Sequence, residues 1–556
     1  MNWQSRLASR SLASLLLLAA AACVHDSPGP GPVACTAHGT DIALAVTAYQ
    51  LLDPASDSGC VHFPANASTT DSAEYLVLPW SAAPTPIVSA PFSLVSETPA
   101  ASIAIPQMAS LGGGSHGAAA AAFDYFLRGM ARSRRYPLHT GFAAAPATVP
   151  LPSTTAGPPT VGSVRTFKVC SNFTCSSFAS VGARVQSVGL HIAIYVDTTA
   201  PSPGLATADF DSLRQVFDTR LYPIDTVAFG HVSDIDSNTV AIVLMTGVVN
   251  KLVTKAHCHS SGYIAGFFFS GDLDPIAAPQ FNNGEIFYSI VADPDSTLSC
   301  AHPAQEVIHT TPVTFTHEFQ HMINFVEHVR VKGADSEEGW LDEGLSKYAE
   351  EIAGRSYLAQ GDTATFSNYA FNSVYDAYQY LLAPGSSPLL IPEDTGSLAE
   401  IGASWLFVRY VVDQFNDSLP GKLVQSNLTG AANVAAKTGQ PFDQTISRWA
   451  LANYVSDLAG FSAPPELQYK TWHFRRTYAS LHTQRPADFP QPYPLVPPLS
   501  AGSAVNLSGT LHSGSGEYVR AVQAPGGGAF TLHFSGPEGA PLSATIVPRL
   551  VVARIR

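Results

Sequence analysis

Charged residues are scarce in this sequence, and basic residues nowhere form a long run. Asp, Glu, Lys and Arg together make up 13% of the 556 residues, and the formal net charge is −14. The densest basic segment is Arg132-Ser133-Arg134-Arg135. Because nucleic-acid binding normally requires a basic patch or stripe, this composition argues against DNA or RNA as a partner.

Two other absences narrow the classes of fold and site. No two cysteines have the C-x-x-C spacing, which disfavours a zinc site built from thiolates. No segment repeats with a period of about 20–50 residues, which argues against a solenoid. Hydrophobic residues nevertheless make up 46% of the chain, and glycine and proline each number 42. The sequence therefore predicts several compact domains, about two to four, with short strands and many turns.

The apolar stretch near the N-terminus is too short to cross a bilayer comfortably. Two arginines precede Leu12 to Ala22, which ends in small residues at Cys23. The pattern predicts a lipoprotein-type signal peptide over residues 1–22, with lipidation of Cys23 and a Gly/Pro-rich tether over residues 23–34. Ala20 stands where such signals usually have Leu, so an ordinary secretory signal is the alternative. Both alternatives predict an extracytoplasmic protein, either a bacterial lipoprotein anchored to the membrane or a secreted protein.

The cysteine count agrees with export. Six of the seven cysteines remain once Cys23 is set aside. An even number in an oxidising compartment predicts disulfides. Pairing of neighbours along the chain predicts Cys35–Cys60, Cys170–Cys175 and Cys258–Cys300. A metal site at His257-Cys258-His259 is the alternative to the third of these disulfides.

Strand-like and helix-like segments divide the chain into regions. Apolar runs between turn clusters predict a β-domain over residues 35–100, and residues 101–165 follow as a helix and a Pro/Ala-rich linker. Buried-strand patterns and then long helices predict a two-lobed domain over residues 166–490, with a mixed-sheet lobe and a helical lobe. Short strands over residues 496–556 predict a C-terminal β-domain. The predicted fold class is multidomain α+β, with β-sandwich-like domains on both sides.

One predicted helix carries two histidines at a spacing that suits a metal ion. The pair Thr311-Pro312 fits the start of a helix over about residues 312–328. His317 and His321 are four residues apart, so their side chains lie one turn apart on one face. Two such imidazoles can bind one zinc ion, and Glu318 can then accept a proton from a water molecule on the metal. A helix with two surface histidines is the simpler alternative.

A catalytic zinc site needs a third protein ligand, and several candidates follow the motif. His328 lies about 10 Å beyond the second histidine along a continuous helix, too far to bind the same ion. Glu327 has the metzincin spacing, but Asn324 stands where that pattern needs a glycine. Glu337 and Glu338 lie in a polar connector, and we expect both to be solvated.

Glu343 is the remaining candidate for the third ligand. It begins a second predicted helix, which can return antiparallel to the first. Glu350 lies two turns further along the same face, where its carboxylate can accept a hydrogen bond from a ligand imidazole. The alternative for Glu343 is an i, i+4 surface pair with Lys347.

Together these motifs resemble the gluzincin clan of zinc metallopeptidases, which includes thermolysin and the zinc aminopeptidases. The strings Thr316 to Phe325 and Trp340 to Ser346 most resemble the hyicolysin family of bacterial secreted peptidases. The resemblance is specific over about residues 310–355. It extends more loosely through Gly402 to Tyr410 and Gly430 to Asn433, and it does not reach the flanking β-domains.

The resemblance implies a zincin-like catalytic domain over residues 166–490. It also implies one zinc ion bound by His317, His321 and Glu343, with Glu318 as the general base. Asp342 stands where we expect Asn, which adds a negative charge near the metal without removing a ligand. The G-x-M-E-N stretch with which zinc aminopeptidases hold a free N-terminus is missing, which favours an endopeptidase acting on proteins or peptides.

Other features stay open. Asp234 to Asn238 resembles the start of a calcium loop but lacks the Gly and the distal Glu, so we favour a turn, and a calcium ion has no further support. Glu285 to Val291 is a candidate edge strand for pairing with an extended substrate. Five tyrosines are candidates for stabilising the oxyanion, and the sequence does not choose among them: Tyr369, Tyr375, Tyr378, Tyr380 and Tyr410.

Two other functions compete with the endopeptidase. The first is a non-catalytic surface lipoprotein that has a degenerate peptidase core and β-domains for binding polysaccharide or protein. The second is a zinc hydrolase that acts on a different amide or ester. The sequence does not indicate a cleavage specificity, and residues 35–165 suit either an inhibitory prodomain or a spacer.

Overall fold

The computed structural model describes residues 35, 39–97, 117–137, 157–392 and 395–556. Over these residues the protein is multidomain and mixed α+β, with three sheets and many helices. The predicted signal peptide, the lipidation site Cys23, the tether and most of the Pro/Ala-rich linker lie outside the described residues. Within the described part, no helix is both long and apolar enough to span a bilayer.

Two five-stranded sheets pack together into one β-sandwich. In spatial order, the first sheet contains Thr40–Asp41, Cys60–Phe63, Phe530–Ser535, Ser89–Ser96 and Asn506–His512. The second contains Leu499–Ala501, Val519–Gln523, Ala73–Ser81, Pro548–Arg554 and Tyr49–Leu52. Alternate residues of these strands point inward and form a separate apolar core, which includes Tyr75, Phe92, Leu507 and Leu532.

This sandwich corrects the prediction of separate N- and C-terminal β-domains. Strand Ser89–Ser96 lies between two C-terminal strands, Asn506–His512 and Phe530–Ser535. Strand Ala73–Ser81 likewise lies between Val519–Gln523 and Pro548–Arg554. Neither end of the chain has enough strands to cover its own apolar faces, so the two ends complete one domain.

The intervening chain forms a six-stranded mixed sheet. Its spatial order is Gly266–Phe268, Ile286–Ser289, Ala241–Met245, Ile192–Asp197, Phe178–Val188 and Val164–Cys170. The three strands from Ile286–Ser289 to Ile192–Asp197 are parallel, and the outer pairings are antiparallel. Glu285 to Val291 is therefore not an edge, and that prediction is wrong: strand Gly266–Phe268 covers it and forms the edge instead.

Three helices frame the candidate site. We call Ala304–Phe325 the histidine helix, Gly339–Leu358 the glutamate helix and Ala118–Ser133 the covering helix. The other α-helices are Pro54–Asp57, Thr207–Val216, Tyr222–Ala228, Gly247–Asn250, Cys258–Ser261, Thr363–Leu382, Leu398–Phe415, Leu419–Val424, Gly430–Thr438, Phe442–Val455 and Phe474–Gln484. Wider π-type turns occur at Phe217–Leu221 and Val326–Val331. Single 3-10 turns occur at Ser270–Asp272, Ala278–Gln280, Pro384–Ser386, Pro465–Leu467, Gly502–Ala504, Pro537–Gly539 and Ala544–Ile546.

The predicted start of the histidine helix is wrong. The helix begins at Ala304, after Pro303, and Pro312 lies inside it. A proline fits the first turn of a helix, but an internal proline is tolerated where tertiary packing holds the flanking turns. Here Val307, before the proline, and Phe315, after it, are both fully buried.

The three predicted disulfides are present. Cys35 pairs with Cys60, Cys170 with Cys175, and Cys258 with Cys300. The first ties the chain N-terminal to the sandwich onto strand Cys60–Phe63. Because Cys258 is bonded to Cys300, no thiolate at this position is free for a metal, which removes the alternative site at His257-Cys258-His259.

Candidate metal centre

The histidine helix is fixed by an apolar stripe on the face away from the histidines. Phe315, Phe319 and Met322 follow one another at helical spacing and are fully buried. Phe319 packs against the ring of Phe217, and Phe315 packs against Phe287 in the six-stranded sheet. This packing anchors the helix on the sheet and directs its other face towards the glutamate helix.

His317, His321 and Glu343 converge at that interface. The two imidazole Nε2 atoms are 3.1 Å apart. Glu343 Oε2 lies 3.5 Å from His317 Nε2, and Glu343 Oε1 lies 3.4 Å from His321 Nε2. Ligand atoms about 2.1 Å from a tetrahedral ion lie about 3.4 Å apart. All three separations are close to this value, although the two imidazoles face different oxygens of Glu343, so the three side chains are candidates to bind one ion.

The outer nitrogens of both imidazoles are held by carboxylates. His317 Nδ1 lies 2.8 Å from Glu350 Oε1, and His321 Nδ1 lies 3.0 Å from Asp342 Oδ1. A proton on each Nδ1 would be held by these carboxylates, and each Nε2 would then be available to an ion at the shared centre. The sequence suggested this position for Glu350. For Asp342 the sequence analysis predicted only an added negative charge near the site, whereas the structure also shows a hydrogen bond with the imidazole of His321.

The Glu343 carboxylate fits a metal ion better than it fits an empty interior. Glu343 is fully buried, and neither of its oxygens has a hydrogen-bond partner among the described residues. An unsatisfied buried carboxylate is costly, and a bound cation removes that cost. Five carboxylates surround the centre against two basic side chains, Arg128 and Lys347, which also favours a divalent cation: Asp124, Glu318, Asp342, Glu343 and Glu350.

The charges in the site shift the ionisation of its members. Burial alone would raise the pKa of Glu343, yet the imidazoles of His321 and His317 hold this pKa at about 2. Burial lowers the pKa of His317, but its contacts with the carboxylates of Glu343 and Glu350 outweigh it and raise this pKa well above its usual value. Burial also raises the pKa of Asp342, while His321 and Arg128 bring it below its ordinary value. The carboxylates of Glu343 and Asp342 are thus kept in their charged form.

The covering helix brings Asp124 and Arg128 to the same centre, which the sequence analysis missed. Asp124, His317 and Glu343 each place one donor atom within 4.8 Å of the other two. Arg128 lies 3.6 Å from Asp342 Oδ2 and 3.9 Å from Glu343 Oε1. An acid and a base four residues apart are common on exposed helix surfaces, so their spacing carries no signal of a buried site.

The rejected ligand candidates lie elsewhere. Glu327 Oε1 accepts a hydrogen bond from the backbone N–H of His231. His328 is fully buried, with Nε2 3.6 Å from Glu337 Oε2. The expectation that Glu337 is solvated is wrong: only 1% of it is exposed, and it accepts hydrogen bonds from Gly430 N and Asn433 Nδ2. These donors hold the connector before the glutamate helix.

Three of the five candidate tyrosines contact residues outside the candidate metal centre. Tyr378 donates to the carbonyl of Gln491, and Tyr410 donates to the carbonyl of Glu466. Tyr380 stacks on a buried tryptophan. None of these three contacts involves the candidate metal residues, so the choice of an oxyanion-stabilising group stays open.

The acidic segment Asp234 to Asn238 forms the turn before strand Ala241–Met245, as the favoured interpretation predicted. Carboxylate oxygens of Asp234, Asp236 and Glu285 lie within 4.8 Å of one another. Glu285 accepts hydrogen bonds from within the turn, and Asp236 lies 3.5 Å from Arg165. These contacts account for the cluster as a turn, and calcium binding stays an untested prediction.

A buried aspartate behind the site predicts a pH dependence of stability. Burial raises the pKa of Asp376 to about 7, although Lys347 lowers it. Because this pKa exceeds the unfolded value of about 3.9, the contribution of Asp376 to stability is fully present below pH 4 and is lost as the pH rises through 7. We expect Asp376→Asn to be more stable than the wild type at pH 8.5 by about 4 kcal/mol, and to differ little at pH 4.

Denaturant unfolding at the two pH values measures this difference. Asp417→Asn, at an exposed position, is the matched control and should follow the wild type at both pH values. If Asp376→Asn also followed the wild type at pH 8.5, the aspartate would be ionised in the folded protein without cost, and the assignment would be wrong.

Neither a scan against protein-family models nor a search of curated proteins finds a match to this chain.

Proposed function

We propose that this chain is an exported zinc-dependent endopeptidase with a zincin-like catalytic domain. The observation that carries the proposal is the convergence of His317, His321 and Glu343 at separations of 3.1–3.5 Å. The histidine helix contacts both the six-stranded sheet and the glutamate helix, which is the arrangement that such a domain requires. The resemblance to the gluzincin clan agrees with two histidines from one helix and a glutamate from the next.

The chain's own residues suit hydrolysis of an amide. A zinc ion on these donors would supply a Lewis acid that lowers the pKa of water towards neutrality. One oxygen of Glu318 lies within 4.8 Å of a donor atom of each imidazole, within reach through one water molecule. Glu318 would accept the proton as the water attacks the carbonyl carbon, and would then pass it to the leaving amine. Glu350 and Asp342 would keep the imidazoles oriented.

The experiment that tests this function is Glu318→Gln in the full chain. We expect hydrolysis of casein or of a peptide library to fall at least about 100-fold, because a general base contributes about 10²–10⁴ in rate. Zinc content should stay at one ion per chain, since Glu318 is not among the proposed ligands. Glu306→Gln, on the same helix before Pro312, is the matched control and should keep its activity. Full activity in Glu318→Gln would contradict the proposal.

We also propose that Cys23 carries a lipid, which would anchor the protein to a bacterial membrane on the extracytoplasmic side. The three disulfides support an oxidising compartment. Fatty acid on Cys23 and recovery in the membrane fraction would distinguish the anchored form from a secreted one.

A non-catalytic surface protein is the second candidate. One observation favours it: only 6% of His317 and 4% of Glu318 are exposed, so the centre is covered in this structure. A hydrolase acting on another amide or ester is the third, and a substrate screen would identify it. Metal content with no hydrolysis of any substrate would favour the non-catalytic protein.

A further inference from the structure

The covering helix lies over the metal centre and is firmly packed there. Its residues Phe123 and Tyr125 are fully buried, and Phe123 meets the ring of Phe267 in the six-stranded sheet. At the start of the glutamate helix, a Cβ on Gly339 would lie only 3.3 Å from both Arg128 Cβ and Tyr125 Cδ1. The two helices can approach this closely because residue 339 has no side chain, so the position of the covering helix is specified by the sequence.

Asp124 and Arg128 lie one turn apart on this helix and both face the centre. Arg128 is 3% exposed, and its guanidinium lies near Asp342 and Glu343. This contact sets the register of the helix over the site, because a slip of one residue would leave a buried guanidinium without its carboxylates. In that register one oxygen of Asp124 is within 4.8 Å of donor atoms of both His317 and Glu343.

A side chain of the same helix also binds an outer edge of the six-stranded sheet. Strand Gly266–Phe268 is the edge strand, and its last residue accepts a hydrogen bond from Arg128 Nη2 at 3.1 Å. An extended peptide commonly binds beside a metal centre by adding a strand to such an edge. A substrate adopting this mode would need the carbonyl of Phe268, which Arg128 already holds.

We propose that Asp124 is a fourth protein ligand of the metal and that the covering helix holds the chain in a latent form. This inference rests on the proposed zinc peptidase function. Catalytic zinc sites keep one position open, whereas four protein ligands close the site. The Asp124 oxygen lies no more than 4.8 Å from donor atoms of His317 and Glu343, so a shift of about 1.4 Å or less would bring it to the separation expected between two ligands of one ion. The latent chain would then lack both an open metal position and a free sheet edge.

The test is made on the full chain with Co²⁺ in place of zinc, because Co²⁺ reports its coordination through visible absorption. Acetohydroxamate, a small chelating ligand, is titrated into the wild type and into Asp124→Asn. We expect the wild-type spectrum to stay unchanged at millimolar hydroxamate. In Asp124→Asn the ligand should bind at least about ten times more tightly and change the spectrum, and peptide hydrolysis should rise about tenfold or more.

Asp335→Asn, at an exposed position outside the site, is the matched control and should behave as the wild type. Equal hydroxamate affinity in the wild type and in Asp124→Asn, with Co²⁺ bound to both, would overturn the fourth ligand and leave the peptidase function standing. Loss of metal from both proteins would overturn the function as well. If Asp124→Asn did not fold, the wild type alone would decide, since hydroxamate binding at its Co²⁺ centre would contradict a closed site.

Discussion

Glu343→Ala is expected to remove both the metal and the activity. The substitution deletes the only donor that the glutamate helix gives to the centre, leaving the two imidazoles and the proposed fourth ligand Asp124. Loss of an outer hydrogen-bond partner typically costs 10–100-fold in metal affinity, so loss of a ligand should cost at least about a thousandfold, or about 4 kcal/mol. Dialysis against a weak chelator followed by metal analysis measures the affinity, and peptide hydrolysis measures the activity.

Two further variants test whether the effect of Glu343→Ala is specific to the loss of a metal ligand. Glu350→Gln should lie between Glu343→Ala and the wild type, because it weakens the orientation of His317 without removing a donor. Glu97→Ala, at an exposed position on the sandwich, should leave metal binding unchanged. Full zinc content in Glu343→Ala would exclude Glu343 as a ligand.

Removal of residues 496–556 is expected to destroy the sandwich rather than to trim an accessory domain. The deletion takes five strands, including both neighbours of Ala73–Ser81 and both neighbours of Ser89–Ser96. The remaining strands would expose Tyr75, Phe92 and other inward-facing side chains to water. We expect little soluble protein and no cooperative melting transition for the sandwich, measured by yield and differential scanning calorimetry.

A full-length chain that is cleaved after folding is the control for the chain that lacks residues 496–556. A protease site inserted at the exposed Val496 and cleaved after folding should leave both pieces associated, because paired strands and a common core hold them. A soluble chain ending at residue 495, with an unchanged melting transition, would show that the two ends do not share their sheets.

The contrast between the site and the sandwich shows what the sequence encodes locally. His317 and His321 could be placed from helical spacing alone, and Glu350 could be related to Glu343 in the same way, since three to four residues make one turn. Neighbouring cysteines were paired correctly because each pair is close along the chain. The sandwich could not be predicted in this way, because its paired strands from the two ends of the chain are more than 400 residues apart. A strand pattern indicates which residues are buried, but it does not identify the neighbouring strand.

The residues that the sequence did not assign are those whose roles depend on packing between helices. Asp342 precedes the proposed ligand, but its hydrogen bond to His321 depends on how the two site helices meet. Asp124 and Arg128 lie about 190 residues or more before the histidines, on a helix that the sequence analysis predicted before the linker but did not connect with the site. No local pattern distinguishes such a helix from a solvated one.

The shared sandwich also sets an order for folding. Residues 157–495 are complete along the chain before the strands of residues 499–554 have been made, so the six-stranded sheet and its helices can form first. Until then the strands Cys60–Phe63, Ala73–Ser81 and Ser89–Ser96 lack their main partners and expose apolar edges, which invites pairing with other chains. The strands of residues 499–554 therefore cover the apolar edges of the strands in residues 40–96, which stay without these partners during most of synthesis.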